Sequence, residues 1–231
     1  MDTARIAELL RPFLRGPISQ ASSGALPLPA DCSSEGSGAL AQLRLDHISQ
    51  YIDLLLRWNA RVNLTAVRDP EEIVTRHFGE SLFAARHLFP QQGAASSEYL
   101  IDLGSGAGFP GLPMKVWRPN LRLTLIEATQ KKCTFLQEAV RKLGLANVEV
   151  FSGRGEDYVG QADVVTLRAV ERFERALPLA LRLVRSGGRI SLLIGDAQTA
   201  KARELSPGVA WRNPIEVPLS SRRVLLIGKT G

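Results

Sequence analysis

Apolar positions recur at helical spacing through the N-terminal part of the chain and at strand spacing beyond it. Ile6, Leu9, Leu10 and Phe13 share one face of a helix within Thr3–Leu14, where Pro12 is placed to end it early. Residues 15–38 are dense in Ser, Gly, Pro and Ala and keep no hydrophobic period, which predicts a flexible connecting segment. Leu43, Ile48, Tyr51, Ile52, Leu55 and Trp58 restore the helical period over Leu40–Trp58. Asn59–Arg68 is polar and turn-like. Asp69-Pro70-Glu71-Glu72 then carries the capping carboxylate and first-turn proline of a helix start, continuing as one or two short helices over Ile73–Leu88. Polar Gln91–Ser97 closes this region.

From Tyr99 the pattern alternates between short apolar runs and helical stretches. Strands are predicted at Tyr99–Leu103, Leu121–Glu127, Val148–Phe151, Ala162–Leu167, Arg189–Ile194, Ile215–Val217 and Arg223–Gly228, with helices between them. This alternation predicts an α/β fold: a seven-stranded, doubly wound, Rossmann-like sheet preceded by an N-terminal helical extension. The expected division is 1–97 for the extension and 98–231 for the core.

The 231 residues are 45% apolar, enough for one sizeable core. No apolar run reaches the roughly 20 residues that span a bilayer, and the N-terminus lacks the apolar centre of a signal peptide, so a cytoplasmic protein is expected. Two cysteines, Cys32 and Cys133, are too few for a cysteine zinc site and lie in unlike contexts, which argues against a structural disulfide; no metal is expected. Twenty-nine Lys and Arg against 23 Asp and Glu give a formal charge of +6, which favours a polyanionic partner without identifying it.

The chemistry concentrates after the first strand. Asp102 is followed by Gly104, Gly106, Gly108 and Gly111, a turn that lets backbone approach a ligand closely. Glu127 ends the second strand, where a carboxylate can accept from two ribose hydroxyls, a contact common to nicotinamide and adenosyl cofactors. Arg168 directly follows apolar Val164–Leu167 and should emerge at the same strand-end cavity, to contact a phosphate, a carbonyl or the cofactor. His77 and Ser81 stand four apart on a helix and share a face.

Several separated motifs occur together in order: Trp58-Asn59, Asn63–Pro70, His77-Phe-Gly-Glu-Ser81, Asp102–Gly111, Lys131–Leu136 and Arg168-Ala169. In these, over roughly Leu40–Ile227, the chain resembles the bacterial small-subunit (16S) ribosomal RNA guanine nitrogen-7 methyltransferases, the glucose-inhibited division protein B family. That resemblance implies transfer of a methyl group from S-adenosylmethionine to guanine nitrogen 7 in small-subunit RNA or the 30S subunit, by a monomer. It implies cofactor contacts at Gly104, Phe109, Glu127, Gly155, Glu156 and Arg168; Asp102 and Gly106 are cofactor candidates from their place in the glycine turn, and Arg168, at its strand end within the family motif, is the candidate catalytic residue. The polar and basic residues Asn63, Arg68, His77, Lys131, Lys132, Arg222 and Arg223 are candidates to hold RNA. The chain departs from the family pattern at Glu80, where Asp is usual, at Leu167, where a small hydroxyl residue is usual, and at Ile194-Gly195, where Lys-Gly is usual. A noncatalytic ribosome-assembly or RNA-binding protein and a dinucleotide-dependent oxidoreductase are the alternatives; the latter lacks an evident proton-transfer constellation.

Overall fold

The computed structural model describes residues 1–15, 35–89, 98–169 and 172–231. Most of the 15–38 segment, Cys32 and the Gln91–Ser97 insert lie outside the described residues.

Helix α1 (Thr3–Leu14) is capped by the Asp2 carboxylate and runs through Pro12 for two further residues; a proline so near the helix end removes one hydrogen bond without breaking it earlier. Helix α2 (Glu35–Asn59) starts before the expected Leu40 and takes in the last residues of the presumed connecting segment. Asp69 caps α3 (Pro70–Glu72) through its Oδ1, which accepts from the Glu72 N–H at 2.8 Å. A π-helical segment, Ile73–Gly79, continues into α4 (Glu80–Leu88). The wider π turn alters which carbonyls and side chains face the sheet, a feature common at functional sites.

The sheet is built from β1 (Tyr99–Leu103), β2 (Arg122–Glu127), β3 (Val148–Ser152), β4 (Ala162–Arg168), β5 (Val184–Gly195), β6 (Ala210–Trp211), β7 (Ile215–Glu216) and β8 (Arg223–Lys229). Between them run α5 (Gly111–Trp117), α6 (Gln130–Lys142), α7 (Phe173–Arg182) and α8 (Gln198–Leu205). The order is β3-β2-β1-β4-β5-β8-β6, with β7 also paired to β8. Strands β1 to β5 are parallel, and β8 returns antiparallel to β5. Eight strands replace the expected seven because Ala210–Trp211 is too short to leave a periodic signal. Strand β5 also begins at Val184 rather than Arg189. Gly187, at φ +71°, and Gly188 lie at an irregularity within it, where pairing jumps from Ala162–Val184 to Val164–Arg189.

Each strand sends alternate side chains to two cores. Leu100, Leu123, Leu125, Val164 and Leu225 pack with α1, α2, the π segment and α4 to α6, whereas Ile101, Leu103, Val165, Leu167 and Leu192 pack with α7 and α8. One apolar cluster therefore crosses the 97/98 boundary, so the N-terminal helices cover a face of the sheet instead of standing apart from it. Connections leave β1 in one direction and β4 in the other. The resulting crevice at their carboxyl ends is where α/β sheets of this kind bind ligands.

Candidate active site

Beyond Leu103 the chain turns through three glycines in the left-handed region, Gly104 at φ +72°, Gly106 at +57° and Gly108 at +81°. The Gly104 and Ser105 N–H groups donate to the Ile126 carbonyl at 2.9 and 3.0 Å, clamping the loop to β2. Glu127 completes the clamp: its Oε2 accepts from Gly106 N–H at 2.9 Å and its Oε1 from Thr129 N–H at 2.8 Å. A carboxylate offers about four acceptor positions, so each oxygen retains capacity for a hydroxyl. A Cβ built on Gly104 meets nothing within 4 Å and one on Gly106 meets only the Gly104 carbonyl at 3.9 Å, so the loop keeps an open side against which a nucleoside fits.

Asp102, a candidate for a cofactor contact, does not share that open side. It is buried; Oδ2 accepts from Gly111 N–H at 3.0 Å and Oδ1 from the Thr166 hydroxyl at 2.9 Å, tying β1 to β4 and fixing where α5 starts. Burial raises its carboxyl to about 6, against the downward pull of the Thr166 and Gly111 hydrogen bonds.

Two glycines in one loop thus have different duties, which gives a direct test. Gly104→Ala is expected to fold with a loss of about 1–2 kcal/mol from backbone strain alone. In Gly108→Ala the new methyl would stand against the Tyr51 hydroxyl and 2.6 Å from Leu112 Cδ1, adding about 1–3 kcal/mol of overpacking. Urea unfolding of both variants measures this; equal losses would refute the assignment.

A cavity of about 370 Å³ opens beside the loop, lined among others by Thr65, His77, Glu80, Gly106, Phe109 and Arg168. Phe109 forms one wall and is itself held in an aromatic stack, parallel to Tyr51 at 5.5 Å, edge-on to Phe78 at 5.2 Å and stacked with His77 at 4.7 Å. The Tyr51 hydroxyl donates to the Ala107 carbonyl, so α2 holds the glycine loop from behind.

Arg168 ends β4 with its side chain 11% exposed. Its Nη2 donates to the Arg76 carbonyl at 2.7 Å and Glu80 Oε2 at 3.1 Å and lies 3.1 Å from His77 Nδ1, and its guanidinium carbon lies 5.9 Å from the Phe109 ring centroid. Among the described residues, no protein acceptor meets its Nη1 or Nε. The other Glu80 oxygen accepts from Arg223 Nη2 at 2.7 Å. Desolvation pushes the Glu80 carboxyl above its ordinary range, and Arg168, Arg223 and Arg76 pull it back.

His77 lies between these groups. Its Nδ1 lies 3.1 Å from Arg168 Nη2 and its Nε2 2.8 Å from the Thr65 hydroxyl, with the donor at each contact set by the tautomer. Burial, with Arg168, Arg76 and Arg223 nearby, lowers its pKa to about 3. The imidazole is neutral at physiological pH. Its nuclear magnetic resonance signals should show no titration between pH 5 and 8; a midpoint near 6.5 would contradict this geometry. His77 binds no proton in the fold between pH 6.5 and 3 while the unfolded chain does, so its contribution to stability falls as pH drops through that window. Asp102 acts with the opposite sign, favouring the fold as pH falls from about 6 toward 3.8.

The cavity brings together Gly104, Gly106, Phe109, His77, Lys132, Arg168 and Arg223 of the anticipated residues, with Glu127 bonded to its wall. Gly155 and Glu156 form a turn after β3 whose carbonyls accept from Arg182; neither lines the cavity. Asn63, Arg68, Lys131 and Arg222 are exposed outside it. Ser81 is fully buried, its hydroxyl donating to the His77 carbonyl, and so supports the π segment. Of the departures from the family pattern, Leu167 is absorbed in the core on the α7 side and Ile194 is also buried there, whereas Arg223 pairs with Gly195 across β5 and β8 and supplies a cation at that strand end. Tyr51, Arg76 and the clamp role of Glu80 were missed. A carboxylate in the run Phe78–Ala85, which is otherwise uncharged and mostly apolar, was the available signal for Glu80.

The parallel sheet, its reversed antiparallel edge and the open glycine loop at the β1–β4 crevice define a Rossmann-like protein with a nucleotide-type cofactor crevice. Solved structures share the fold: a SAM-dependent methyltransferase from Aquifex aeolicus at a TM-score of 0.56 and 15% identity, covering 73% of this chain and 97% of that one, and P. horikoshii TYW2 in complex with MeSAdo at 0.54 and 17%, covering 67% and 62%. The chain belongs to the GidB family, rRNA small subunit methyltransferase G, whose family model matches residues 44–217. Ribosomal RNA small subunit methyltransferase G of Stenotrophomonas maltophilia (strain K279a) is 37% identical over 214 residues, 89% of this chain and 98% of the relative. That of Roseiflexus castenholzii is 40% identical over 201 residues, 81% and 84% respectively. Membership in this family sets aside the oxidoreductase alternative. No helix among the described residues is long and apolar enough to cross a membrane.

Proposed function

We propose that the protein transfers a methyl group to nitrogen 7 of a guanine in small-subunit ribosomal RNA, with S-adenosylmethionine as donor. The observation that carries this reading is the Arg168 guanidinium, fixed on one nitrogen by three neighbours while its remaining edge meets no described protein acceptor beside the open glycine loop.

S-adenosylmethionine supplies an electrophilic methyl on a sulfonium sulfur. Gly104 and Gly106 give its nucleoside backbone-level access, Glu127 accepts from the ribose hydroxyls, and Phe109 and Arg168 border the reacting end. Gly155 and Glu156 stand at the neighbouring β3 turn as contacts for the adenine side. Nitrogen 7 of guanine carries its own lone pair, so no general base is required, and the neutral His77 agrees with that demand. Arg168 cannot donate to nitrogen 7 without occupying that lone pair; its free edge therefore binds the adjacent carbonyl oxygen and orients the ring. Lys132 and Arg223 at the cavity, and Asn63, Arg68, Lys131 and Arg222 around it, engage the phosphate backbone.

Tritiated methyl transfer into purified small subunits, naked small-subunit RNA and unrelated RNA, followed by mapping of the labelled base, tests the proposal. Label on nitrogen 7 of one guanine is expected. Cofactor binding without any label would instead support a noncatalytic RNA-binding protein.

A further inference from the structure

A second recess lies where the C-terminal turn of α2, the residues that follow it and α6 meet. Its volume is about 580 Å³, and Leu54, Arg57, Trp58, Arg61, Val62 and Glu138 line it. Leu64–Val67 of the same loop line the glycine-loop cavity, so one stretch of chain contributes to both spaces. That stretch is fixed: Asn59 Oδ1 accepts from the N–H groups of Leu64 at 2.9 Å and Thr65 at 3.1 Å, and its Nδ2 donates to the Thr65 carbonyl at 2.9 Å.

The recess combines an aromatic ring held on one edge with two guanidinium groups and one carboxylate, a net positive lining. Trp58 is partly exposed, its Nε1 donates to Glu138 at 3.0 Å, and its ring meets Phe135 edge-on at 5.8 Å. Glu138 is thereby engaged by a neutral donor. Among the described residues, neither Arg57 nor Arg61 has a carboxylate within ion-pair distance, whereas Arg5, Arg76, Arg185 and Arg189 are each paired with one. Arg57 Nε donates to the Asp53 carbonyl of its own helix, at 3.2 Å. Guanidinium groups favour phosphate, and a fixed ring offers a stacking face to any base.

We propose that this recess binds a single-stranded RNA segment flanking the target guanine, with a base stacked on Trp58 and phosphates held by Arg57 and Arg61. The inference rests on the function proposed above and extends the RNA path across the Asn59 loop, away from the reacting atoms. It assigns these residues to affinity for RNA and leaves the chemical step to the other cavity.

The test uses the full chain and equilibrium binding of naked small-subunit RNA and of a short single-stranded RNA oligonucleotide, beside methyl transfer into assembled subunits. The Arg57→Ala/Arg61→Ala variant should bind both RNAs about tenfold more weakly, and the slope of log affinity against log salt should fall in magnitude by about 1.5, the loss of two phosphate contacts. With assembled subunits KM should rise while kcat and adenosylhomocysteine affinity remain within about twofold, as expected for binding shared equally by ground and transition states. Trp58→Phe should lose the fluorescence quenching that the oligonucleotide causes in the parent protein. Unchanged RNA affinity and salt slope in the double variant would overturn the inference. A KM effect on assembled subunits without any change in naked-RNA binding would also overturn it, assigning the recess to a ribosomal protein. Absence of methyl transfer by the unmodified protein would refute the proposed function separately, because the binding comparison does not depend on turnover.

Discussion

Exchanging Arg168 for lysine is expected to lower methyl transfer by about 100-fold while leaving adenosylhomocysteine affinity nearly unchanged, the scale of loss that follows small misplacement of a reactant. The reason is division of labour within one guanidinium. Nη2 is engaged by the Arg76 carbonyl, His77 Nδ1 and Glu80 Oε2, and this fixes the plane of the group over Phe109. Nη1 and Nε then project a second, rigidly related edge. A lysine ammonium is one compact centre and cannot hold the inner acceptors and present an outer fork at once. The charge survives in this variant, so the large loss separates geometry from simple attraction for RNA. Single-turnover transfer with saturating small subunits reads the chemical step directly. Turnover within about threefold of the parent protein would mean that Arg168 contributes charge alone.

The fold was legible because its determinants are local. Strand-length apolar runs, glycine turns and amphipathic helices repeat along the chain, and the first strand with its glycine loop could be placed to the residue. The candidate site was legible mainly where strand ends deliver residues to a common crevice, as with Gly104, Phe109 and Arg168. Asp102 shows where that logic misleads: a carboxylate next to a ligand loop has the same sequence signature whether it faces the ligand or fastens the loop, and Thr166 and Gly111 decide the matter from β4 and α5. Tyr51 is a further case. Its spacing marks an ordinary core position in α2, and nothing local shows that its hydroxyl reaches Ala107, 56 residues away. The π segment was also hidden, since the apolar spacing of Ile73, Val74 and Phe78 suits an α-helix equally well.

Glu80 carries the second large effect. Its side chain is 3% exposed and bridges guanidinium groups that arrive from β4 and β8, so the charge balance of the cavity depends on one carboxylate. Removing one partner of a buried ion pair leaves the others uncompensated, and Glu80→Ala should cost about 3–5 kcal/mol in urea unfolding. Glu80→Gln keeps the shape and one acceptor but turns an amide N–H₂ toward one of the two arginines, so it should retain more stability than the alanine variant while still releasing that arginine. The comparison discriminates two roles. If Glu80 acts only as ballast for the fold, glutamine restores transfer in proportion to stability. If it positions Arg168, transfer stays low at temperatures where the glutamine variant is fully folded, and an added Arg168→Lys exchange costs far less than it does alone, because the two residues act as one unit. Additive losses in that double-mutant cycle would show that the bridge from Glu80 to Arg168 contributes nothing to the reaction.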